Sequence, residues 1–426
     1  MKKIEYSLNN KNKLYFLPKY NRFAMNNYDI DIQPDYYDTS LVKLRLEISH
    51  LCNGRCKYCL VYGNNVETAE ILDVKEFWKY LNSQEWFKNI KKIFIIGGEP
   101  LLHFEEISYI IDHFNGKISF STNGTLLTKE MVKKFAESNV KVYISLDGPE
   151  FEDNINRVYV NQEYMYPDII KGIDLLREYD VKFGIFMVAA KETIKRAKDM
   201  ILKLDEKYSP ARIGYSLPHW TPDYKDTSLA EEFRDVLLGL YKERKRIKAE
   251  IPQLKWRLNP LCEGKIKKFS CGLHTTQTTI LPNKSIIRCS KIDNEKDDLK
   301  FKVTNDKLNQ NSPIELAKDD KSDCSKCIAL ACCGGGCPFD GMKRFNCLTD
   351  KRECVITPPL INMAVNDIVE KFNEKISTTL ACKMSIKANE YVSLDELRVL
   401  IERLRKTENP FTCPHGRPTI ISYSKY

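Results

Sequence analysis

Three cysteines stand within eight residues, Cys52, Cys56 and Cys59, in the spacing C-x3-C-x2-C. They follow directly on a short apolar run, 43–49, that reads as a β-strand. Three thiolates from one short loop can hold three irons of a cubane cluster and leave the fourth iron open. An open iron is what a cluster needs if it is to bind a small molecule as well as carry electrons. Zinc accepts the same thiolates but wants a fourth side chain, and His50 is the local candidate.

A second cysteine set runs Cys262-x8-Cys271-x17-Cys289, then Cys324-x2-Cys327-x5-Cys333-x3-Cys337-x16-Cys354. Of the fifteen cysteines this leaves Cys332, Cys347, Cys382 and Cys413. The N-terminus has no apolar signal core, so clustered cysteines argue for metal binding in a reducing compartment over a disulfide framework. A zinc ribbon over Cys324–Cys337 is the alternative to iron–sulfur ligation there.

The elements that must position these residues follow from periodicity. Strand-like runs at 43–49, 92–96, 118–122, 141–146, 181–188 and 212–217 alternate with amphipathic helix patterns at 74–82, 104–114, 128–138, 166–179, 192–207 and 228–247. Six βα units predict an α/β fold with a parallel sheet and helices outside it, a partial (β/α)6 TIM-type barrel open on one side. Function in such folds sits at the C-terminal ends of the strands, where the first cysteine loop lies. Residues 1–40 read as an extension with one short hairpin, and 41–250 as the barrel. Residues 251–360 form a loop-rich segment that needs metal staples, and 361–426 a helical stretch running into a different kind of tail.

Other strand ends carry motifs of their own. Gly97-Gly98-Glu99-Pro100 ends the second strand, and its glycines permit close backbone approach. Ser121-Thr122-Asn123-Gly124 ends the third. Ser145-Leu146-Asp147-Gly148-Pro149 ends the fourth, with Arg157 downstream. Read without context, Asp147 is a helix or turn cap and Arg157 a surface charge. Together with C-x3-C-x2-C and the aromatic Tyr58 before the last cysteine, these motifs resemble the radical S-adenosylmethionine (radical SAM) superfamily over residues 41–250.

That resemblance implies a [4Fe–4S] cluster on Cys52, Cys56 and Cys59, with SAM chelating the open iron. Residues implied at the SAM site are Tyr58, Gly97, Gly98, Glu99, Ser121, Asn123, Ser145, Asp147 and Arg157. The glycine motif meets the methionine amino group, and a serine and an arginine hold the ribose and carboxylate. One-electron cleavage of SAM then gives a 5′-deoxyadenosyl radical that takes a hydrogen atom from substrate. The second cysteine set resembles the SPASM domain of radical SAM peptide- and protein-modifying enzymes. It implies two auxiliary [4Fe–4S] clusters, one on Cys262, Cys271, Cys289 and Cys337, the other on Cys324, Cys327, Cys333 and Cys354. Cys347 is an alternative to Cys354, and Lys284 stands where that family often has glycine.

The implied substrate is a ribosomally made precursor peptide, oxidised to a thioether, C–C or C–O cross-link. The implied reductant is a flavodoxin or ferredoxin. In anaerobic sulfatase maturases an aspartate follows the cysteine matching Cys289, and Ser290 stands here instead. Oxidation of a protein Ser or Cys in the manner of those maturases is the alternative reaction, and a non-catalytic peptide-binding Fe–S scaffold the alternative class. Residues 375–426, with Cys382, Cys413 and His415, resemble the C-terminal domain of MutL mismatch-repair endonucleases, where matching residues bind a zinc-type metal. The acidic D-Q-H-A-x2-E motif of that family is not in the sequence, and the chain reaches Tyr426 without the family's final helix. The tail therefore reads as a fused fragment.

The net charge of +9, from 67 basic and 58 acidic residues, is mild for 426 residues. The run Lys242–Arg246 reads as a solvated helix face, so a nucleic-acid partner is not expected, and an acidic peptide is favoured. No apolar run approaches the ~20 residues of a membrane span. The expected location is the cytoplasm.

Overall fold

Strands and helices alternate after Leu41 because the apolar residues do. The computed structural model describes residues 41–63, 70–263, 276–289, 329–347 and 349–384, three strands within 4–25, and isolated positions such as Lys291 and Cys327. Two compact units divide the chain, 1–361 and 362–426.

The core of the first unit is an eight-stranded sheet. Its strands are β4 (Lys43–Glu47), β5 (Lys92–Ile96), β6 (Lys117–Thr122), β7 (Lys141–Ser145), β8 (Phe183–Val188), β9 (Arg212–Ser216), β10 (Gln277–Ile280) and β11 (Ile286–Ile287). The spatial order is β11-β10-β4-β5-β6-β7-β8-β9. Neighbours from β4 to β9 are parallel, as consecutive βα units require. The helices α2 (Val74–Ser83), α3 (Phe104–His113), α4 (Lys129–Glu137), α5 (Tyr166–Glu178) and α6 (Ala197–Tyr208) are the crossovers, and α7 (Leu229–Glu243) follows β9. A short α1 (Leu60–Gly63) leaves the cysteine loop, and α8 (Pro252–Glu263) follows α7.

Two helices, α2 and α4, show why they start where they do. In α2 the buried residues are Val74, Phe77, Trp78 and Leu81, a stripe at helical spacing. Asp73 caps its start by accepting the Glu76 N–H at 2.8 Å. Thr128 caps α4 through the Met131 N–H. The sheet supplies the opposite face of this core, with Leu44, Ile93, Ile95, Phe120, Val142 and Ile144 almost wholly buried. Burial of each such side chain contributes about 1.5–3 kcal/mol.

Five features depart from the sequence expectation. β10 pairs in parallel with β4, and β11 turns back antiparallel on β10, so the sheet extends two strands beyond the six βα units. β8 begins at Phe183, not 181, because Asp180 adopts a left-handed φ of 52° and the Val181 N–H returns to the Leu176 carbonyl. The chain after β8 turns tightly at 190–196 before α6 starts at Ala197. The segment expected to be loop-rich holds α8 and helices at Pro338–Phe345 and Arg352–Met384. At the N-terminus, β1 (Ile4–Ser7), β2 (Lys13–Leu17) and β3 (Arg22–Met25) make a three-stranded antiparallel sheet where one hairpin was expected.

Candidate active site

The cysteine loop leaves the C-terminal end of β4 and is held from two sides. On one side it pairs with the arm that follows β7. The Arg55 N–H donates to Val158 O at 2.8 Å, the Lys57 N–H to Asn156 O at 3.1 Å, and the Val160 N–H to Asn53 O at 3.1 Å. On the other side it lies against the Gly97-Gly98 turn. The Gly98 N–H donates to Ser49 O and the Glu99 N–H to Leu51 O. A Cβ at Gly98 would stand 2.0 Å from Leu51 O, and one at Gly97, whose φ is 135°, 2.4 Å from Ser49 O. The glycines are thus dictated by backbone-to-backbone contact with residues 49–51, which lead from β4 into the cysteine loop.

The donor set fits an iron–sulfur cluster. Burial pushes the Cys52 thiol up to about 12 and Cys56 to about 11, so thiolates here call for a cation's charge. Two N–H groups already point at sulfur, Gly54 at Cys52 Sγ (3.3 Å) and Tyr62 at Cys59 Sγ (3.5 Å). Such N–H···S bonds stabilise cluster thiolates. His50 Nε2 lies 3.0 Å from Glu47 Oε2, so this ring nitrogen is engaged by a carboxylate.

Glu99 and Asn123 form a network behind the loop. The buried Glu99 carboxylate accepts from Thr122 Oγ1 at 2.6 Å, the Asn123 N–H at 2.7 Å and the Leu101 N–H at 3.0 Å. Burial still raises its carboxyl to about 7. Asn123 Nδ2 donates to Asn53 Oδ1 at 2.7 Å, and Asn53 Nδ2 donates to Thr125 Oγ1 at 3.0 Å. The ends of β5 and β6 are therefore bound to each other and to the cysteine loop. Both side chains spend their polar atoms on protein partners. Ser121 and Ser145 are half-buried at the ends of β6 and β7.

Asp147 is the hub of a second network. Its carboxylate accepts from the Tyr58 hydroxyl, from Arg157 Nη2 at 2.8 Å and from the Val188 N–H at 3.0 Å. All three side chains are buried, and Arg157 lies over the Tyr58 ring at 5.3 Å. Burial alone would lower the arginine's proton affinity, but Asp147 overrides this and holds it protonated. Arg157 Nε is buried with no hydrogen-bond partner, so the fork keeps a donor for another group. Asp147 is thus neither a helix cap nor exposed, and Arg157 is not a surface charge. Asn154 fixes the turn between them, accepting the Asp147 N–H at 2.8 Å.

Of the second cysteine set, Cys289, Cys327, Cys333, Cys337 and Cys354 are described. Cys262 lies in α8 with its side chain outside the described residues, and Cys271, Cys324 and Ser290 lie outside them altogether. So do Cys413 and His415 of the tail, while Cys382 is in the helix Arg352–Met384 with its side chain not described. Burial pushes the Cys333 thiol up to about 12, helped by the charges of Glu353 and Cys354 nearby. The Cys347 thiol instead donates to Thr349 O at 3.3 Å.

Sequence reasoning missed His219, on the loop after β9. Its Nδ1 lies 2.5 Å from Asp340 Oδ2, and its Nε2 meets Lys291 Nζ. Burial and Lys291 lower the ring to about 4. Burial alone would raise the Asp340 carboxyl, but His219, Arg352 and Lys291 hold it well below the usual range. Ligand atoms of His219, Cys337 and Asp340 fall within 4.8 Å of one another. One histidine in a Pro-His-Trp stretch gives no local signal. Asn53 was likewise missed, although it lies inside the cysteine motif.

Comparison with known proteins agrees with this geometry. Residues 46–204 match the Radical SAM superfamily model. An uncharacterized protein of Methanocaldococcus jannaschii is 32% identical over 165 residues, covering 37% of this chain and 56% of that protein. The DNA mismatch repair protein MutL of a Geobacillus species is 55% identical over 58 residues, which is 14% of this chain but 9% of MutL. The chain thus spans little more than half the length of the first relative and a small part of the second. Among solved structures, native anSMEcpe with bound AdoMet superposes with a TM-score of 0.58 at 18% identity, covering 76% of this chain and 99% of that one. Streptococcus suis SuiB bound to precursor peptide SuiA gives 0.52 at 18% identity, covering 72% and 74%. At such identities the likeness establishes the fold, a mostly parallel α/β sheet of the partial TIM-barrel kind. Among the described residues no helix is long and apolar enough to cross a membrane.

Proposed function

Residues 46–204 are a radical SAM domain, and from that premise we propose that the chain is a radical SAM enzyme that oxidises a ribosomally made precursor peptide, joining two of its residues by a thioether, C–C or C–O bond. The observation that carries the reading is the seat of Cys52, Cys56 and Cys59. Three thiols at the mouth of the sheet, those of Cys52 and Cys56 desolvated, sit on a loop clamped between the Gly97-Gly98 turn and the 156–160 arm. When bound, SAM and a reduced [4Fe–4S] cluster supply a 5′-deoxyadenosyl radical that abstracts hydrogen from substrate.

The chain's own residues hold and shield that chemistry. Cys52, Cys56 and Cys59 would be the cluster ligands, with the Gly54 and Tyr62 N–H groups supporting the sulfurs. The spare donor of Arg157 suits the SAM carboxylate, with the ion pair to Asp147 fixing the direction of the fork. Gly97 and Gly98 leave backbone exposed for the amino group, Ser121 and Ser145 offer hydroxyls to the ribose, and Tyr58 backs the loop. Glu99 and Asn123 act by positioning the strand ends.

Residues 251–360 would form a SPASM domain carrying two auxiliary [4Fe–4S] clusters. The proximity of Cys354 to Cys333 supports Cys354 as a ligand, while the Cys347 thiol is committed to Thr349. Fully ligated clusters would carry away the electron that cross-linking leaves behind. A peptide substrate is supported by the fold shared with SuiB, which binds the precursor peptide SuiA. Ser290, in place of an aspartate, weighs against sulfatase-type maturation. A flavodoxin or ferredoxin would deliver the first electron, and the tail, lacking the acidic nuclease motif, would be an appendage without cutting activity. Anaerobic reconstitution tests the whole reading. About twelve irons per chain are expected for three cubanes, with 5′-deoxyadenosine formed on adding SAM and dithionite. A fully loaded protein that leaves SAM intact would sink it.

A further inference from the structure

The sheet's two faces differ. On β4, β5, β6 and β7 every second residue is buried under the helices; on the other face Arg45, Phe94, Ser119 and Tyr143 are half-buried, while Glu47 above Arg45 and Thr279 beside it are buried. Solvent therefore reaches the concave face along β5, β6 and β7, and at Arg45. Arg45 sits on this face, in register with Phe94 of β5 and Thr279 of β10.

Its chemistry is unspent. Arg45 Nε is sealed from solvent with no hydrogen-bond partner, and among the described residues its guanidinium makes no ion pair. The acid two residues along the same face, Glu47, is taken by His50 at 3.0 Å. The other arginine of this face, Arg212, is committed to Glu250 and lies 5.9 Å over the Tyr143 ring. A desolvated donor left unmade is costly, and a planar guanidinium matches a carboxylate with two parallel bonds. Beside it runs an aromatic row, Phe94–Tyr143 at 6.0 Å and Tyr143–Phe186 stacked at 4.6 Å, an apolar wall for an aliphatic stem. Gly184 and Gly214 make room for these rings: added Cβ atoms would meet Tyr143 at 2.8 Å and Phe186 at 2.7 Å.

We propose that Arg45 is the receptor for a carboxylate of the substrate peptide, an acidic side chain or C-terminus reaching down the concave face, with its stem along Phe94 and Tyr143. The site lies two residues below the end of β4, ~7 Å beneath the mouth by strand rise, and so sets the distance between the anchor and the residue presented above. This rests on the peptide-modifying reading but concerns binding, so the two can fail separately.

The test uses the reconstituted 426-residue chain with SAM, a hexaglutamate peptide as probe, and calorimetry at about 0.15 M salt. Hexaglutamate should bind the parent roughly ten-fold or more tightly than hexaglutamine. Arg45→Gln should abolish that preference, and Arg45→Lys, which keeps the charge without the fork, should lose only part of it. SAM affinity should stay within about two-fold of the parent in both variants. Iron content and thermal melting identify a variant that has not folded, and Arg45→Lys then carries the test. Equal hexaglutamate binding by the parent and Arg45→Gln overturns the proposal. So does a loss of SAM affinity with hexaglutamate binding intact, which would move Arg45 to the SAM site. Inorganic phosphate competing as strongly as hexaglutamate would overturn the carboxylate assignment. Absence of 5′-deoxyadenosine alongside Arg45-dependent hexaglutamate binding would refute the radical reading and leave this site standing.

Discussion

Replacing Asp147 with asparagine removes one charge and little volume from the best-defined part of the site. In the parent, one buried carboxylate takes Arg157 at 2.8 Å, the Val188 N–H at 3.0 Å and the Tyr58 hydroxyl. Asp147 is 3% exposed and Arg157 5%, so water cannot replace the lost partner. Leaving one member of a buried pair uncompensated costs about 3–5 kcal/mol. The amide also presents a donor to groups that need an acceptor, which costs about 1–3 kcal/mol more where it is not relieved by rotation. At about 2–4 °C per kcal/mol for a domain of this size, Asp147→Asn should melt at least about 6 °C below the parent. Arg157→Met in the Asp147→Asn background removes the orphaned charge. The double variant should therefore be more stable than the sum of the single losses, by about 2 kcal/mol or more. Thermal and urea unfolding of the four proteins measure this. An Asp147→Asn protein within about 1 kcal/mol of the parent, or strictly additive losses, would refute the claim that this pair is a structural hub.

Other outcomes follow from the same geometry. Gly98→Ala puts a methyl 2.0 Å from Leu51 O, so the cysteine loop must shift, and the variant should retain less iron on the three-cysteine site by Mössbauer counting. Glu99, lifted by burial to about 7 from an unfolded value near ~4.3, contributes stability that is complete below its unfolded value and lost as pH rises through 7. Glu99→Gln should flatten the fall in melting temperature between pH 5 and 7, and parallel curves for the two proteins would contradict this. Cys354→Ala should lose about four irons and Cys347→Ala none; the reverse pattern would reassign the ligand. Asn53→Ala unties the loop from Asn123 at 2.7 Å, and faster loss of the cluster to chelator is expected, read from visible absorbance.

The barrel was legible because it is built from local signals. Alternating apolar residues in β4 to β7 and the stripe Val74, Phe77, Trp78, Leu81 in α2 can be read from a few residues at a time. β10 was not legible, since four residues, Gln277–Ile280, pair with a strand more than two hundred positions earlier, and no local period encodes that. Site residues divide the same way. Cys52, Cys56 and Cys59 announce themselves by spacing. The grip of Glu99 on Thr122 and Asn123, the ion pair of Asp147 with Arg157, and the contact of His219 with Asp340 depend on which loops meet at the mouth. The glycines of Gly97-Gly98 were legible as a place of close backbone approach, but that the approaching backbone is residues 49–51 was not.

The central claim is that the loop at Cys52, Cys56 and Cys59 generates a radical from SAM. The most direct measurement is 5′-deoxyadenosine by mass spectrometry after anaerobic incubation with SAM and dithionite, for the parent and for the variant with all three cysteines changed to alanine. The account predicts product from the parent and none from the variant, even when the variant keeps iron on its remaining cysteines. Product from the variant, or none from a parent carrying its full iron, would contradict it.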